Sequence, residues 1–156
     1  MRTSRKSVTV ADSGLAIVLG DWQTLGNEAR RVREEVFVIE QGIPRSLEWD
    51  VADPQCVHCL ATTDGLPPKR AAIATGRLLP DGHIGRMAVL AAHRGRGVGR
   101  AVLRALIGAA RDRGHTEVIL NAQQYVCEFY RREGFVEFGE PFEEAGIAHV
   151  SMRLDL

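Results

Sequence analysis

"MAVLAAHRGRGVGRAVLRALIGAA" occupies Met87 to Ala110, and its reading decides the fold. The apolar run Met87 to Leu90 reads as a strand. Downstream, Val98, Val102, Ala105, Leu106 and Ala109 recur at helical spacing, which predicts a helix from Val98 to Arg113 with Gly114 as its stop. Between strand and helix stands "HRGRGVG", three glycines among arginines. A bare turn needs only one glycine. A strand, a glycine turn and a helix N-terminus together make an anion cradle, because successive backbone N–H groups and the helix dipole converge there. Arg94, Arg96 and Arg100 add charge at its rim.

Two familiar phosphate loops do not fit. A mononucleotide loop needs lysine and a hydroxyl residue after its last glycine, and neither is present. A dinucleotide turn needs a third glycine where Arg100 stands. What remains is Arg94-x-x-Gly97-x-Gly99.

The rest of the chain bounds what that cradle serves. At 156 residues one domain spanning 1–156 is expected, with 45% apolar and 26% charged residues. The formal net charge is zero, which argues against nucleic acid as the main partner. Lysines occur only at Lys6 and Lys69, so an anion site must rely on guanidinium groups and amides. No apolar run reaches bilayer length and none follows the basic N-terminus, so neither a membrane span nor a secretory signal is expected. Three cysteines fit a reducing cytoplasm better than a disulfide framework. Cys56 and Cys59 spell C-x-x-C, but an extended chain points them to opposite faces, so core packing is expected and no metal.

The flanking pattern alternates strands and helices. A strand is expected at Leu15 to Leu19, then a helix from Thr24 to Gln41 carrying Val32, Val36 and Ile39 on one face. The segment "GIPRSLEWDVADP" reads as loop with a short helical turn. "CVHCLATT" and "RAAIATGRLL" read as strands joined through "DGLPPK", and Pro80 to Gly82 as the turn of a hairpin with "HIGRMAVL". "EVILNA", the short helix "VCEFYRRE" ended by Gly134, "VEF" and "HVSMRLDL" complete an α/β domain around one mixed sheet.

With "MAVL" ahead of Arg94-x-x-Gly97-x-Gly99 and Phe129-Tyr130-Arg131-Arg132-Glu133-Gly134-Phe135 behind, the chain from Leu15 onward resembles the Gcn5-related N-acetyltransferases (GNAT). "VREEVFVIEQGIP", "NAQ" and "EEAGIAHVSM" resemble their ElaA-like branch. The resemblance implies an α/β (α+β) fold, a mostly antiparallel twisted mixed sheet flanked by helices, whose strands splay to hold acetyl-CoA. It implies that Met87, Ala88 and Val89 pair with the pantetheine arm, the Met87 amide polarising the thioester carbonyl. Gly95, Arg96, Gly97, Val98, Gly99 and Arg100, with Arg94, would hold the diphosphate, and Tyr130 would protonate the leaving thiolate. Many relatives carry asparagine seven residues before that tyrosine; here Gln123 stands there. Several place a catalytic glutamate where this chain has Val118, and neighbouring Glu117 faces the other side of a strand.

The base that takes the proton from the acceptor amine is open. His149 is the first candidate, since imidazole titrates in the useful range, and a structural backbone-bonded histidine is the alternative. Glu40 is the second, because a carboxylate at a helix C-terminus is unfavourable to the dipole. His58 reads as a satisfied core group. Asp50 and Asp53 either bind a cationic acceptor or solvate their loop. Thr24 to Pro54 and "EPFEEAGIAH", rich in Glu35, Glu40, Glu48, Asp50, Asp53, Glu143 and Glu144, would form the acceptor pocket. The leading expectation is an acetyl-CoA-dependent N-acetyltransferase acting on a small-molecule or peptide amine. The alternatives are a non-catalytic coenzyme A sensor on the same fold, or an acyltransferase for another acyl chain or a hydroxyl. A homodimer stays open, as no self-complementary pattern is visible.

Overall fold

The computed structural model describes residues 7–10, 14–63 and 71–156. The "DGLPPK" connection and the residues before Ser7 lie outside these. Strands β1 (Ser7–Val10), β2 (Leu15–Gly20), β3 (Val57–Thr63), β4 (Ala72–Leu78) and β5 (Ile84–Val89) form an antiparallel sheet in sequence order. Strands β6 (Glu117–Gln123), β7 (Val136–Glu144) and β8 (Ile147–Asp155) form a second, with β8 in the middle. The expected mixed, mostly antiparallel sheet flanked by helices is therefore borne out, built as two antiparallel ladders. They meet at one parallel bridge, His83 with Ile119, where the Ile119 N–H donates to the Gly82 carbonyl at 3.3 Å.

Helices cover both faces of the larger sheet, and strand alternation assigns residues to them. On one side Val18, Leu60 and Ala88 pack under α1 (Trp22–Arg33), against Leu25, Ala29 and Val32. On the other, Ile17, Cys59 and Ala61 pack with α3 (Val98–Asp112), which also contacts the second sheet through Val118 and Leu120. Ala105, expected on the buried stripe of α3, is only half-buried, while Leu103, Ile107 and Ala110 are buried. The apolar stripe is wider than one row because two sheets press on it.

Three departures from the sequence reading matter for the site. First, α1 begins at Trp22, since the Asp21 carboxylate caps it by accepting the Thr24 N–H at 2.8 Å. Second, the helix does not continue to Gln41 in α form: Glu34–Glu40 is π-helical, with Gln41 N–H donating five residues back to the Val36 carbonyl at 3.0 Å. The wider turns rotate Ile39 off the stripe of Val32 and Val36, leaving it 64% exposed. Third, β7 extends well past "VEF". Its pairing with β8 breaks between Phe138 and Phe142, where Pro141 has no N–H to give, and then resumes to a two-residue turn at Ala145 and Gly146, both at positive φ. The loop with a short turn is borne out as α2 (Arg45–Glu48) and a 3-10 turn at Asp53–Gln55. A further short helix, α4 (Cys127–Arg132), precedes β7. Among the described residues no helix is long and apolar enough to cross a membrane.

Candidate active site

The free edges of β5 and β6 face each other. Both run parallel from the His83–Ile119 bridge, and no further pairing joins them among the described residues. From the bridge toward Val89 and Gln123 the two edges facing this gap carry peptide groups with no partner strand, which an extended guest can satisfy as an added strand.

The glycine bend sits at the Val89 end of this gap. Gly97 caps α3 in the left-handed conformation (φ 79°), and no side chain caps the helix. Gly95 is also left-handed (φ 76°), and nothing lies within 4 Å of where a Cβ would stand on either glycine. The amides of Gly95, Arg96, Gly97, Val98, Gly99 and Arg100 meet no backbone acceptor outside the helix, whose first such bond is Ala101 N–H to the Gly97 carbonyl. The bend is open, its donors meet no partner among the described residues, and it leads into a helix of 15 residues. These features fit a diphosphate.

The arginines at the rim are not idle. Arg94 forms a two-pronged ion pair with Glu40, both contacts 2.6 Å, and its Nε donates to the Val89 carbonyl at 2.9 Å. Hydrogen bonding from Arg94 holds the Glu40 carboxyl below its ordinary range, which weakens it as a base. Arg100, with Arg104, binds Glu133 of the "FYRREGF" element at 2.7 and 3.0 Å, tying α3 to the end of α4.

Next to Glu40, Gln41 reaches the other wall. Its side-chain amide exchanges reciprocal hydrogen bonds with that of Gln123 at 3.0 and 3.3 Å, and it donates to the Tyr125 hydroxyl at 3.1 Å. The end of the π-helix therefore straddles the mouth of the gap, Glu40 on the β5 side and Gln41 on the β6 side. Nothing in the apolar periodicity signals this, since it follows from the widened turns.

Tyr130 is buried in α4 among Phe129 (5.0 Å between ring centroids) and Phe135 (5.8 Å). Burial pushes its phenol well above the ordinary range. Phe129 in turn stands 3.6 Å from where a Cβ would lie on Gly99, so α4 abuts the start of α3. His149 pairs in register with Gln123, stacks on Phe142 at 5.7 Å, and its Nδ1 lies 2.7 Å from the Ile147 carbonyl. A carbonyl only accepts, so a proton on Nδ1 makes this contact, and Nε2 is the ring nitrogen left for another partner. Glu144 is 3.9 Å from that Nε2.

Other expectations need correction. Asp50 and Asp53 neither solvate the loop nor await a cation. Asp53, 3% exposed, accepts from Arg33 (2.9 and 3.1 Å) and Arg77 (2.8 Å), and Asp50 accepts from Arg77 at 2.6 Å. Glu48 is bonded to Arg33. Much of the acidity expected to line an acceptor pocket thus neutralises the chain's own arginines. His58 is buried and bonded to the Asp53 carbonyl at 2.8 Å, as a satisfied core group should be. Cys59 is a core thiol that burial pushes up to about 12, and Cys56 donates to the Ala52 carbonyl outside the strand. No group of three or more His, Cys, Asp or Glu capable of holding a metal occurs among the described residues. Val118 is fully buried in the core.

The sequence reading missed β-bulge residue Arg86. Thr75 pairs with Ala88 and Arg77 with Gly85, so Gly76 faces both Arg86 and Met87. Arg86 takes φ 50°, a left-handed conformation unusual for a side-chain-bearing residue and costing about 1–3 kcal/mol. Gly76 permits this crowding: a Cβ there would stand 2.6 Å from Met87 Sδ and 2.8 Å from Leu106.

Comparison with known proteins agrees with this geometry. Residues 28–156 match the acetyltransferase (GNAT) domain family. An uncharacterized N-acetyltransferase of Bacillus subtilis, YjcF, is 39% identical over 132 residues, covering 82% of this chain and 91% of that protein. The crystal structure of an acyl-CoA N-acyltransferase from Pseudomonas aeruginosa superposes with a TM-score of 0.75 at 34% identity, over 89% of this chain and 98% of that one. Escherichia coli ElaA gives 0.70 at 28% identity, over 83% and 89%. ElaA is thus one of several comparable relatives, and the expected ElaA branch is not singled out. With the family match covering most of its length and the relatives aligned nearly end to end, the chain belongs to the GNAT acetyltransferase family.

Proposed function

We propose that this protein transfers the acetyl group of acetyl-CoA directly to the amine of a small-molecule or peptide acceptor. The observation that carries the reading is the run of unpaired amides from Gly95 to Arg100, open to solvent at the mouth of the β5–β6 gap. In this reading those amides and Arg94 hold the diphosphate, the exposed edge of Met87, Ala88 and Val89 holds the pantetheine arm, and Gln123 contacts it from β6. The acceptor amine gives a proton to His149 Nε2, attacks the acetyl carbonyl, and the C–S bond breaks. The departing thiolate takes the phenolic proton of Tyr130, whose burial keeps it protonated until that moment. Glu40, the other candidate base, is assigned here to Arg94, because its ion pair lowers its basicity.

The test is thiol release from acetyl-CoA across a panel of amines. Turnover is expected with at least one, and Tyr130→Phe should slow it roughly a hundredfold while leaving coenzyme A affinity intact. Unchanged turnover in that variant removes Tyr130 from the chemistry. Binding of acetyl-CoA with no release to any amine favours the non-catalytic sensor.

A further inference from the structure

One residue before Met87 on β5, near Arg33 and Glu48, lies a cation with a buried donor that is unused. The Arg86 side chain is 28% exposed, yet its Nε is buried and donates to nothing. Its nearest carboxylates are beyond hydrogen-bond length, Glu48 at 4.0 Å and Asp50 at 3.8 Å. Both are already engaged: Glu48 by Arg33, and Asp50 by Arg77 and the Ala52 N–H at 2.9 Å. Burial, with Arg77 and Arg33 close by, lowers the proton affinity of this guanidinium, a strain that an added negative charge would relieve. The left-handed bulge fixes Arg86 beside the edge where the acetyl group would lie.

We propose that Arg86 is a specificity-determining residue that receives a compact anionic group, carboxylate or phosphate, carried by the amine acceptor itself. The proposal rests on the transferase reading above and narrows it. A planar guanidinium with idle donors suits such a group and has nothing to offer an uncharged or polycationic acceptor. The acceptor is then an amino acid or an amino phosphate ester rather than a polyamine.

Matched acceptors test this: phosphoethanolamine against ethanolamine, and β-alanine against its amide, each followed by thiol release. The acid-bearing member of at least one pair should show a kcat/KM at least about tenfold higher, and the pair that does so tells phosphate from carboxylate. Arg86→Gln should erase that preference by raising KM for the acid-bearing member alone, and Arg86→Lys should restore part of it. Acetyl-CoA affinity, read by calorimetry, should stay the same in both variants. No preference within either pair in the unsubstituted protein, whether both react or neither does, overturns the proposal, as does an equal loss on both members in Arg86→Gln. Failure of the unsubstituted protein to bind acetyl-CoA is a different result, and it overturns the transferase reading.

Discussion

Glu40 shows how a single side chain changes meaning once its partner is visible. In sequence it is a carboxylate at an unfavourable helix end; in the structure it is locked to Arg94, a cradle residue. Under the proposed function, a diphosphate at the cradle would compete with Glu40 for that guanidinium. Glu40→Gln should therefore tighten coenzyme A binding about two- to fivefold, the range open to an exposed ion pair, with turnover at saturation unchanged. Titration calorimetry with coenzyme A and saturating rates read these two quantities separately. A large fall in saturating rate would instead make Glu40 the base. Tyr130 and the glycines stand out as candidates because they sit in spaced motifs. Arg86 does not, since its placement comes from a bulge and from the prior engagement of Glu48 and Asp50 across the chain.

At the scale of elements, α3 and the β4–β5 hairpin were readable from periodicity and a Pro-Asp-Gly turn, because local pattern and tertiary packing agree there. The π-helical end of the first helix was not, since the apolar spacing of Val32, Val36 and Ile39 continues as though the helix were regular. Nor was the continuation of β7 beyond Pro141, where pairing to β8 overrides a residue that interrupts strands. The bulge makes its own prediction. Gly76→Ala pushes a methyl against Met87, Val102 and Leu106, where β4 and β5 meet α3. Overpacking of this kind should cost about 1–3 kcal/mol in denaturant unfolding. It should also weaken coenzyme A binding, because Met87 is displaced with it. Wild-type stability in this variant would mean the hairpin relaxes freely.

Across the whole molecule, Asp53 ties α1, through Arg33, to β4, through Arg77, beneath the loop that carries Glu48 and Asp50. Burial alone would raise its carboxyl; hydrogen bonds and charge from Arg33 and then Arg77 outweigh this, and the net shift is downward. A depressed carboxyl stabilises the fold fully above its unfolded value of about 4, and that contribution is lost as pH falls through the lower folded value. Asp53→Asn removes the buried carboxylate shared by two cations, leaving Arg33 with Glu48 and Arg77 with Asp50, and should cost about 3 kcal/mol near neutral pH. It should also flatten the loss of stability below about pH 5, as followed by thermal melts across pH. An unchanged acid limb would place the acid-sensitive group elsewhere. One consequence of the chain's path over the gap remains. Glu40 and Gln41 are joined by a peptide bond yet fastened to opposite banks, so the two latches share one hinge. Neither latch can move far without carrying the other with it.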